Sequence, residues 1–225
     1  VSVYERETGQ FRFHPGPIFT GLLLADEINR ASPKTQSALL EAMAENQVTV
    51  DGQTHALVQP FFVVATQNPL DLNGTFPLPD SQLDRFMLRL SLDYPDAAAE
   101  RALLTGSDRR DLLAQLTPQL DGAALLALHR QAQGITASTA LLDYLQALLG
   151  ASRRHGEIRV GLSPRAGLAL LSAARAWALL NGRTHVLPED IQALFVPLAA
   201  HRLLSSRGGN GDALARQLLA EVAVD

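Results

Sequence analysis

Cysteine is absent from the 225 residues, which excludes disulfides, thiolate zinc sites and cysteine nucleophiles together. Lysine is nearly absent too: Lys34 stands alone against eighteen arginines. Leu and Ala clusters are frequent, but Arg, Asp, Gln or Gly interrupts each before the ~18 apolar residues that a membrane span requires. The start shows no charged-then-apolar segment with a small-residue cleavage site, so a cytoplasmic protein is the expectation. Histidines 14, 55, 129, 155, 185 and 201 never fall three or four apart, leaving no helical metal pair and no H-E-x-x-H. Neither G-x-S-x-G nor G-x-G-x-x-G occurs. The net charge of −4 argues against a general nucleic-acid binder, which normally carries a basic excess.

What is present is the composition of a globular chain, 47% apolar and 19% charged, long enough to bury a real core. Residues 1–95 carry six Lys/Arg against eleven Asp/Glu, whereas 96–225 carry thirteen against twelve. The first part mixes strand and helix signals. Val1–Arg6 and Gln10–His14 around Thr8-Gly9 suggest a hairpin. Phe19–Ala25 and Phe61–Thr66 are apolar runs with the look of strands buried on both faces. Ser32-Pro33 supplies an N-cap and a first-turn proline for a helix of about three turns through Leu39, Leu40, Met43 and Ala44. Asp51-Gly52 is a strong hairpin turn between Gln47–Val50 and Thr54–Leu57. A proline-marked loop at Leu70–Pro79, a short helix at Asp80–Arg85 and an alternating strand at Met87–Leu92 complete this part. Tyr94-Pro95 is the best boundary, giving domains 1–95 and 96–225. Beyond it helices are expected over roughly 97–105, 121–133, 138–153, 164–181, 188–203 and 211–222, with Ser163-Pro164 and Leu187-Pro188-Glu189 as helix starts, Gly182 as a C-cap and Ser205–Gly211 as a flexible break. The stripes Leu125, Leu128, Ala132 and Leu168, Leu171, Ala174, Trp177 read as core-facing.

The chemistry is expected at strand ends, because open α/β sheets bind ligands beyond the carboxyl ends of their strands. Leu22–Ala25 delivers Asp26 and Glu27 to that place. The first can hold a magnesium ion through water, and the second can polarise a water for attack on a γ-phosphate. The same residues also fit a strand that simply runs out into a polar loop. Asn68, beyond Phe62–Thr66, could orient that water or form an ordinary Asn-Pro turn. Arg85, at the end of a helix, could reach a phosphate on a neighbouring subunit or pair with Asp84 or Asp80. Arg165 sits in a first helical turn, where the helix dipole disfavours a cation. A locally disfavoured residue points towards function.

These residues carry a resemblance. Gly16-Pro17-Ile18-Phe19 and Leu24-Ala25-Asp26-Glu27-Ile28-Asn29-Arg30-Ala31, with Ser32-Pro33-Lys34-Thr35-Gln36 through Met43, resemble the MoxR family of AAA+ ATPases. Gln47–Gly52, Ala65-Thr66-Gln67-Asn68-Pro69, Pro77-Leu78-Pro79 and Gln82-Leu83-Asp84-Arg85-Phe86 match in order. The resemblance runs from about Val1 to Arg202 and is most specific over 16–95. It implies an α/β P-loop NTPase-type (AAA+) core, its C-terminal portion, followed by an all-α helical lid. It implies that Asp26 and Glu27 form the Walker B pair, with Asp26 on magnesium. Asn68 would be the first sensor, Arg85 the arginine finger with Arg89 as its alternate, and Arg165 the second sensor on the lid. The hairpin at 1–14 would be the family's insertion before Walker B, and the Asp51-Gly52 hairpin the insertion before the first sensor. ATP and Mg²⁺ are the implied cofactors. Homo-oligomeric rings, commonly hexamers, and proteins with von Willebrand A domains are the implied partners.

One departure matters. The family's ATP site opens with a Walker A loop, G-x-x-x-x-G-K-[ST], whose amides cradle phosphate. The single lysine, Lys34, follows Ala31-Ser32-Pro33 and lacks both glycines, so this chain holds no such loop. The expectation is a chain cut before Walker B, with the loop preceding Val1, rather than a member that lost it. The leading functional reading is a chaperone-like ATPase that remodels partner proteins. A magnesium-chelatase-type motor subunit is its neighbour in the same class, and a helical interaction module with a vestigial core is the contrasting class.

Overall fold

The computed structural model describes residues 2–5, 9–68, 74–106, 113–206, 208 and 210–224. Strands Ser2–Glu5 (β1) and Gln10–Phe13 (β2) form an antiparallel hairpin, as the sequence suggests. The expected ends of that hairpin at Val1, Arg6 and Thr8 lie outside the described residues. Leu22–Ala25 (β3) is followed by a 3₁₀ turn at Ile28–Arg30 and by helix Pro33–Glu45 (α1). Ser32 caps that helix by accepting from the Thr35 amide at 3.3 Å, with Pro33 in the first turn, where its missing N–H does no harm. Gln47–Val50 (β4) and Gln53–Ala56 (β5) pair across Asp51 and Gly52, both at positive φ as the two-residue turn requires.

Phe62–Ala65 (β6) lies parallel to β3, with Leu22 opposite Phe62 and Ala25 opposite Ala65. Burial of both strands on two faces is not observed. Leu23, Ala25, Val63 and Ala65 are half-buried, and the two alanines pack on the cluster of Ile28, Leu40 and Leu78. The opposite face exposes Leu22, Leu24, Phe62 and Val64, with Leu22 at 63%. A two-stranded sheet with helix α1 on one side has nothing among the described residues to cover the other. The expected strand at Met87–Leu92 is also absent. Leu90 and Leu92 are exposed, the latter at 98%, and the Arg89 amide donates to the Pro197 carbonyl at 2.8 Å instead of to a strand. Alternating side chains do not make a strand where no neighbouring strand offers a ladder. The short helix is present as Asp80–Leu83 (α2), while residues 70–73 of the expected proline-marked loop lie outside the described residues.

The remainder is helical: Ala97–Thr105 (α3), Gly122–Gln133 (α4), Thr139–Arg154 (α5), Pro164–Leu180 (α6), Pro188–Ala199 (α7) and Gly211–Glu221 (α8). Asp96, Asp121, Ser138 and Ser163 each cap the helix that follows, satisfying an amide that the helix itself cannot. Gly182, at φ 69, closes α6 as expected: its amide reaches the Leu179 carbonyl, and that of Arg183 reaches Ala178. Of the expected break at Ser205–Gly211, both ends belong to elements, Ser205 to a strand and Gly211 to α8, while residues 207 and 209 lie outside the described residues. Leu204–Ser205 (β8) pairs with Ile158–Val160 (β7), a pairing the sequence pattern does not announce.

The larger core is here, around Leu148, Leu170, Ile191, Phe195, Leu198 and Leu218. The stripe read along α6 is displaced. Leu168 and Trp177 are exposed, and the buried ridge is Ala166, Leu170, Ala174 and Ala178. Small side chains four residues apart let α4 and α7 approach this helix closely. On α4, Ala132 is buried but Leu125 remains partly exposed.

Candidate functional site

The end of the β3–β6 pair is stitched together by one hydroxyl. Thr66 follows β6, opposite Asp26, because the in-register pairing of Ala25 with Ala65 brings the next residues side by side. Its Oγ1 donates to Asp26 Oδ1 at 2.6 Å and accepts from the Glu27 amide at 2.8 Å. The Thr66 carbonyl accepts from the Ile28 amide at 3.0 Å, and its own amide donates to Ala25. Asp26 is exposed and Glu27 half-buried, so both carboxylates stand at the strand end with solvent access. Glu27 occupies the left-handed region, φ 47 and ψ 52, which costs a residue other than glycine about 1–2 kcal/mol. Its carboxylate lies 2.8 Å from Arg30 Nε. Asn68 lies two residues past Thr66 and is exposed.

Gln36, only 2% exposed, fixes the floor of this region. Its Nε2 donates to the Ile28 carbonyl, just after the acid pair, and to the Phe76 carbonyl in the segment beyond Asn68. A buried amide bridging two carbonyls holds both loops against α1.

The two arginines stand elsewhere. Arg85 lies in the turn after α2, exposed, with Nη1 donating to the Leu40 carbonyl of α1 at 3.1 Å. Leu83 and Phe86 on either side of that turn pack on the same small cluster as Ala25 and Ala65, which ties the turn to the strand ends. Arg165 is the second residue of α6 and exposed. Ser163, which caps that helix, has its hydroxyl 3.5 Å from Asp84 Oδ2. Arg89 does not share a strand with Arg85, since that strand is missing. It pairs with Asp212 of α8 at 3.2 Å, which removes the alternation that made it an alternate for Arg85. The structure therefore links the Asp26 carboxylate and the Glu27 backbone through Thr66, carries Asn68 on the same strand end, and sets Arg85 and Arg165 on elements flanking Asp84.

Three residues escape a reading of the sequence. Thr66 looks like the last residue of a β-branched strand. His201 and Arg202 follow the apolar run Ile191–Ala200 with only their polarity as a signal. Arg202, with a side chain 4% exposed, pairs with Asp84 at 2.7 Å. Burial lowers its affinity for a proton, against the raising effect of the Asp84 carboxylate. His201 Nε2 lies 3.1 Å from the Phe86 carbonyl, and burial, with Arg202 beside it, pushes its pKa down to about 4.

Residues 1–88 match the model for the ATPase family associated with various cellular activities (AAA), and residues 150–221 match the AAA lid domain. The chaperone MoxR1 of Mycobacterium tuberculosis is 35% identical over 233 residues, covering 99% of this chain and 60% of its own length. The chain belongs to the MoxR family of AAA+ ATPases. The uncharacterized protein YeaC of Bacillus subtilis is 42% identical, covering all of this chain and 72% of its own length. A crystal structure of a protein from Cytophaga hutchinsonii, provisionally described as an ATPase, superposes with a TM-score of 0.86 at 33% identity, over all of this chain and 72% of that one. The chain thus spans between 60% and 72% of these MoxR-family and related proteins. The AAA+ match contains Asp26, Glu27, Asn68 and Arg85, while the lid match contains Arg165 and Arg202. The fold is accordingly that of the AAA+ α/β domain over the first match and of a helical AAA lid over the second.

Proposed function

We propose that this chain carries the hydrolytic half of a MoxR-type ATPase, coupling ATP hydrolysis to remodelling or maturation of partner proteins, with 1–95 as core and 96–225 as lid. The observation that carries the reading is the Asp26–Thr66–Glu27 junction, where a single hydroxyl orients one carboxylate and the backbone of the other. The donor set suits magnesium. An exposed carboxylate at a strand end gives one hard oxygen, and water with nucleotide phosphate gives the rest. Bound Mg²⁺–ATP supplies a phosphoryl group whose oxygens are already partly neutralised.

In this reading Asp26 holds the ion through water, and Glu27 takes the proton of the attacking water. The Asn68 amide orients that water. Arg165 reaches the subunit's own phosphates from the lid, and Arg85 reaches those of the next subunit, which requires a ring of copies, commonly six. Partners with von Willebrand A domains come from the family resemblance alone, and the cytoplasmic setting from the composition of the chain. Among the described residues no helix is long and apolar enough to cross a membrane.

The test uses the protein extended to carry a Walker A loop. Glu27→Gln keeps size and hydrogen bonding but removes the base, so ATP should bind while hydrolysis falls by about 100-fold or more. Hydrolysis at the parent rate would remove Glu27 from the mechanism. Arg85→Ala should spare ATP binding and abolish assembly-dependent turnover, and mixing it with Glu27→Gln subunits should restore part of that turnover. The first kind still has its base, and the second still lends an arginine.

A further inference from the structure

The end of α7 is joined to the turn that bears Arg85 through Arg202. We infer that Arg202 is a positioning residue, through which the helical lid sets where Arg85 stands. The inference rests on the reading of Arg85 as the arginine offered to a neighbouring subunit.

All five N–H donors of Arg202 are used. Nε donates to Asp84 Oδ1 at 2.7 Å. Nη2 donates to the carbonyls of Asp84 at 3.1 Å and Phe86 at 2.7 Å. Nη1 donates to the carbonyl of Met87 at 3.1 Å and to that of Leu198 in the last turn of α7. The residues just before and just after Arg85 are therefore held by their main chain, and the lid holds them. Three further contacts act on the same stretch. The Phe86 carbonyl also meets His201 at 3.1 Å, the Arg89 amide meets Pro197 at 2.8 Å, and Asp84 meets Ser163 at the cap of α6. The Arg85 side chain leaves this joint and crosses to the Leu40 carbonyl of α1.

The chemistry makes the joint all-or-none. A guanidinium presents five donors in one rigid plane, and no other side chain can serve a carboxylate and four carbonyls at once. Taken out of water, the charge is tolerable only while those partners are in place. A lid that swings must therefore either carry residues 84–87 with it or break every bond together. Arg165 rides on the same lid, so its movement towards or away from nucleotide and the placement of Arg85 become one motion.

The absence of cysteine makes the first test clean. In the 225-residue chain, nitroxides at Arg85→Cys and Asp143→Cys report the turn against the lid, and a pair at Asp143→Cys and Gln217→Cys reports the lid against itself. Pulsed electron paramagnetic resonance should give narrow distance distributions for both pairs. Adding Arg202→Gln should broaden the first and leave the second narrow. A first distribution that stays narrow overturns the inference.

The second test uses the Walker A-bearing protein. Arg202→Gln should lower assembly-dependent kcat by about 10²-fold while KM for ATP is unchanged, as for a misplaced catalytic group. Mixing with Glu27→Gln subunits should restore turnover, as it does for Arg85→Ala, because the defect lies in what the subunit gives and not in its own site. If Arg85→Ala is rescued and Arg202→Gln is not, Arg202 merely supports its own subunit and the inference fails. If neither is rescued although mixed rings form, the reading of Arg85 fails and takes this inference with it. Asp84→Ala keeps the four carbonyl acceptors and should act in the same direction more weakly, which covers the case in which Arg202→Gln does not fold.

Discussion

Thr66 shows how much one hydroxyl can organise. Thr66→Val keeps the shape and strand preference of the residue but leaves Asp26 and the Glu27 amide without their shared partner. Losing a hydrogen bond to a charged group costs about 1.5–3 kcal/mol. In the Walker A-bearing protein the expected result is a higher magnesium requirement and turnover lowered about 10-fold or more, read as ATPase rate against magnesium concentration. An unchanged magnesium profile would dismiss Thr66 as an organiser. His201 offers a second test in the isolated chain. Its folded pKa of about 4 lies below the unfolded value of 6.5, so the unfolded chain takes up a proton that the folded chain refuses. Stability should therefore fall as pH drops from 6.5 towards 4, by at most about 1.4 kcal/mol per unit. Burial sets that direction first and the Arg202 and Arg89 charges add to it, while the Phe86 carbonyl and the Asp84 carboxylate favour protonation. Urea unfolding of the parent and of His201→Gln across this range should show the slope shrinking in the variant.

At the scale of elements, helix ends are where local sequence and tertiary packing come into conflict. Gly211 opens α8, a position where alanine would ordinarily improve the helix by roughly 1 kcal/mol. A β-carbon there would come within 2.0 Å of the Ala200 carbonyl, which belongs to the backbone just past α7 and cannot swing aside. Gly211→Ala should therefore destabilise the lid by about 1–3 kcal/mol, measured as a lowered denaturation midpoint. A neutral or raised midpoint would show that α8 can shift on α7 at little cost. The caps were legible in advance, since Ser32-Pro33 and Ser163-Pro164 bond a nearby amide whatever the rest of the chain does. The strand expected at Met87–Leu92 does not form, for the opposite reason. Alternation is a local pattern, but a ladder needs a partner strand, and that segment instead hands its Arg89 amide to Pro197.

At the scale of the molecule, the larger core lies in the lid, and the strand-end site stands on a small cluster of Ile28, Leu40 and Leu78. Every proposed catalytic group acts on phosphate that amides and a lysine elsewhere must hold, and this chain carries no G-x-x-x-x-G-K-[ST]. The 225-residue chain alone should accordingly bind ATP weakly and turn it over negligibly. Titration calorimetry showing affinity at about 1 μM, near −8 kcal/mol, would contradict that expectation.

The family, the acid pair at a strand end and most helices were fixed by residues close together in the chain. Asp26-Glu27 after an apolar run, the capped Ser-Pro turns and the Asp51-Gly52 hairpin each declare themselves within a few positions, because caps, turns and short strands are local bargains between a side chain and its own backbone. What Thr66, Asp84 and Arg202 do was decided only on folding. Thr66 meets Asp26 across forty residues because two strands align in register. Asp84 meets Arg202 across 118 because α7 ends against the turn after α2. A buried guanidinium donates to whatever oxygens the packed chain brings to it, and no spacing in the sequence encodes which those are.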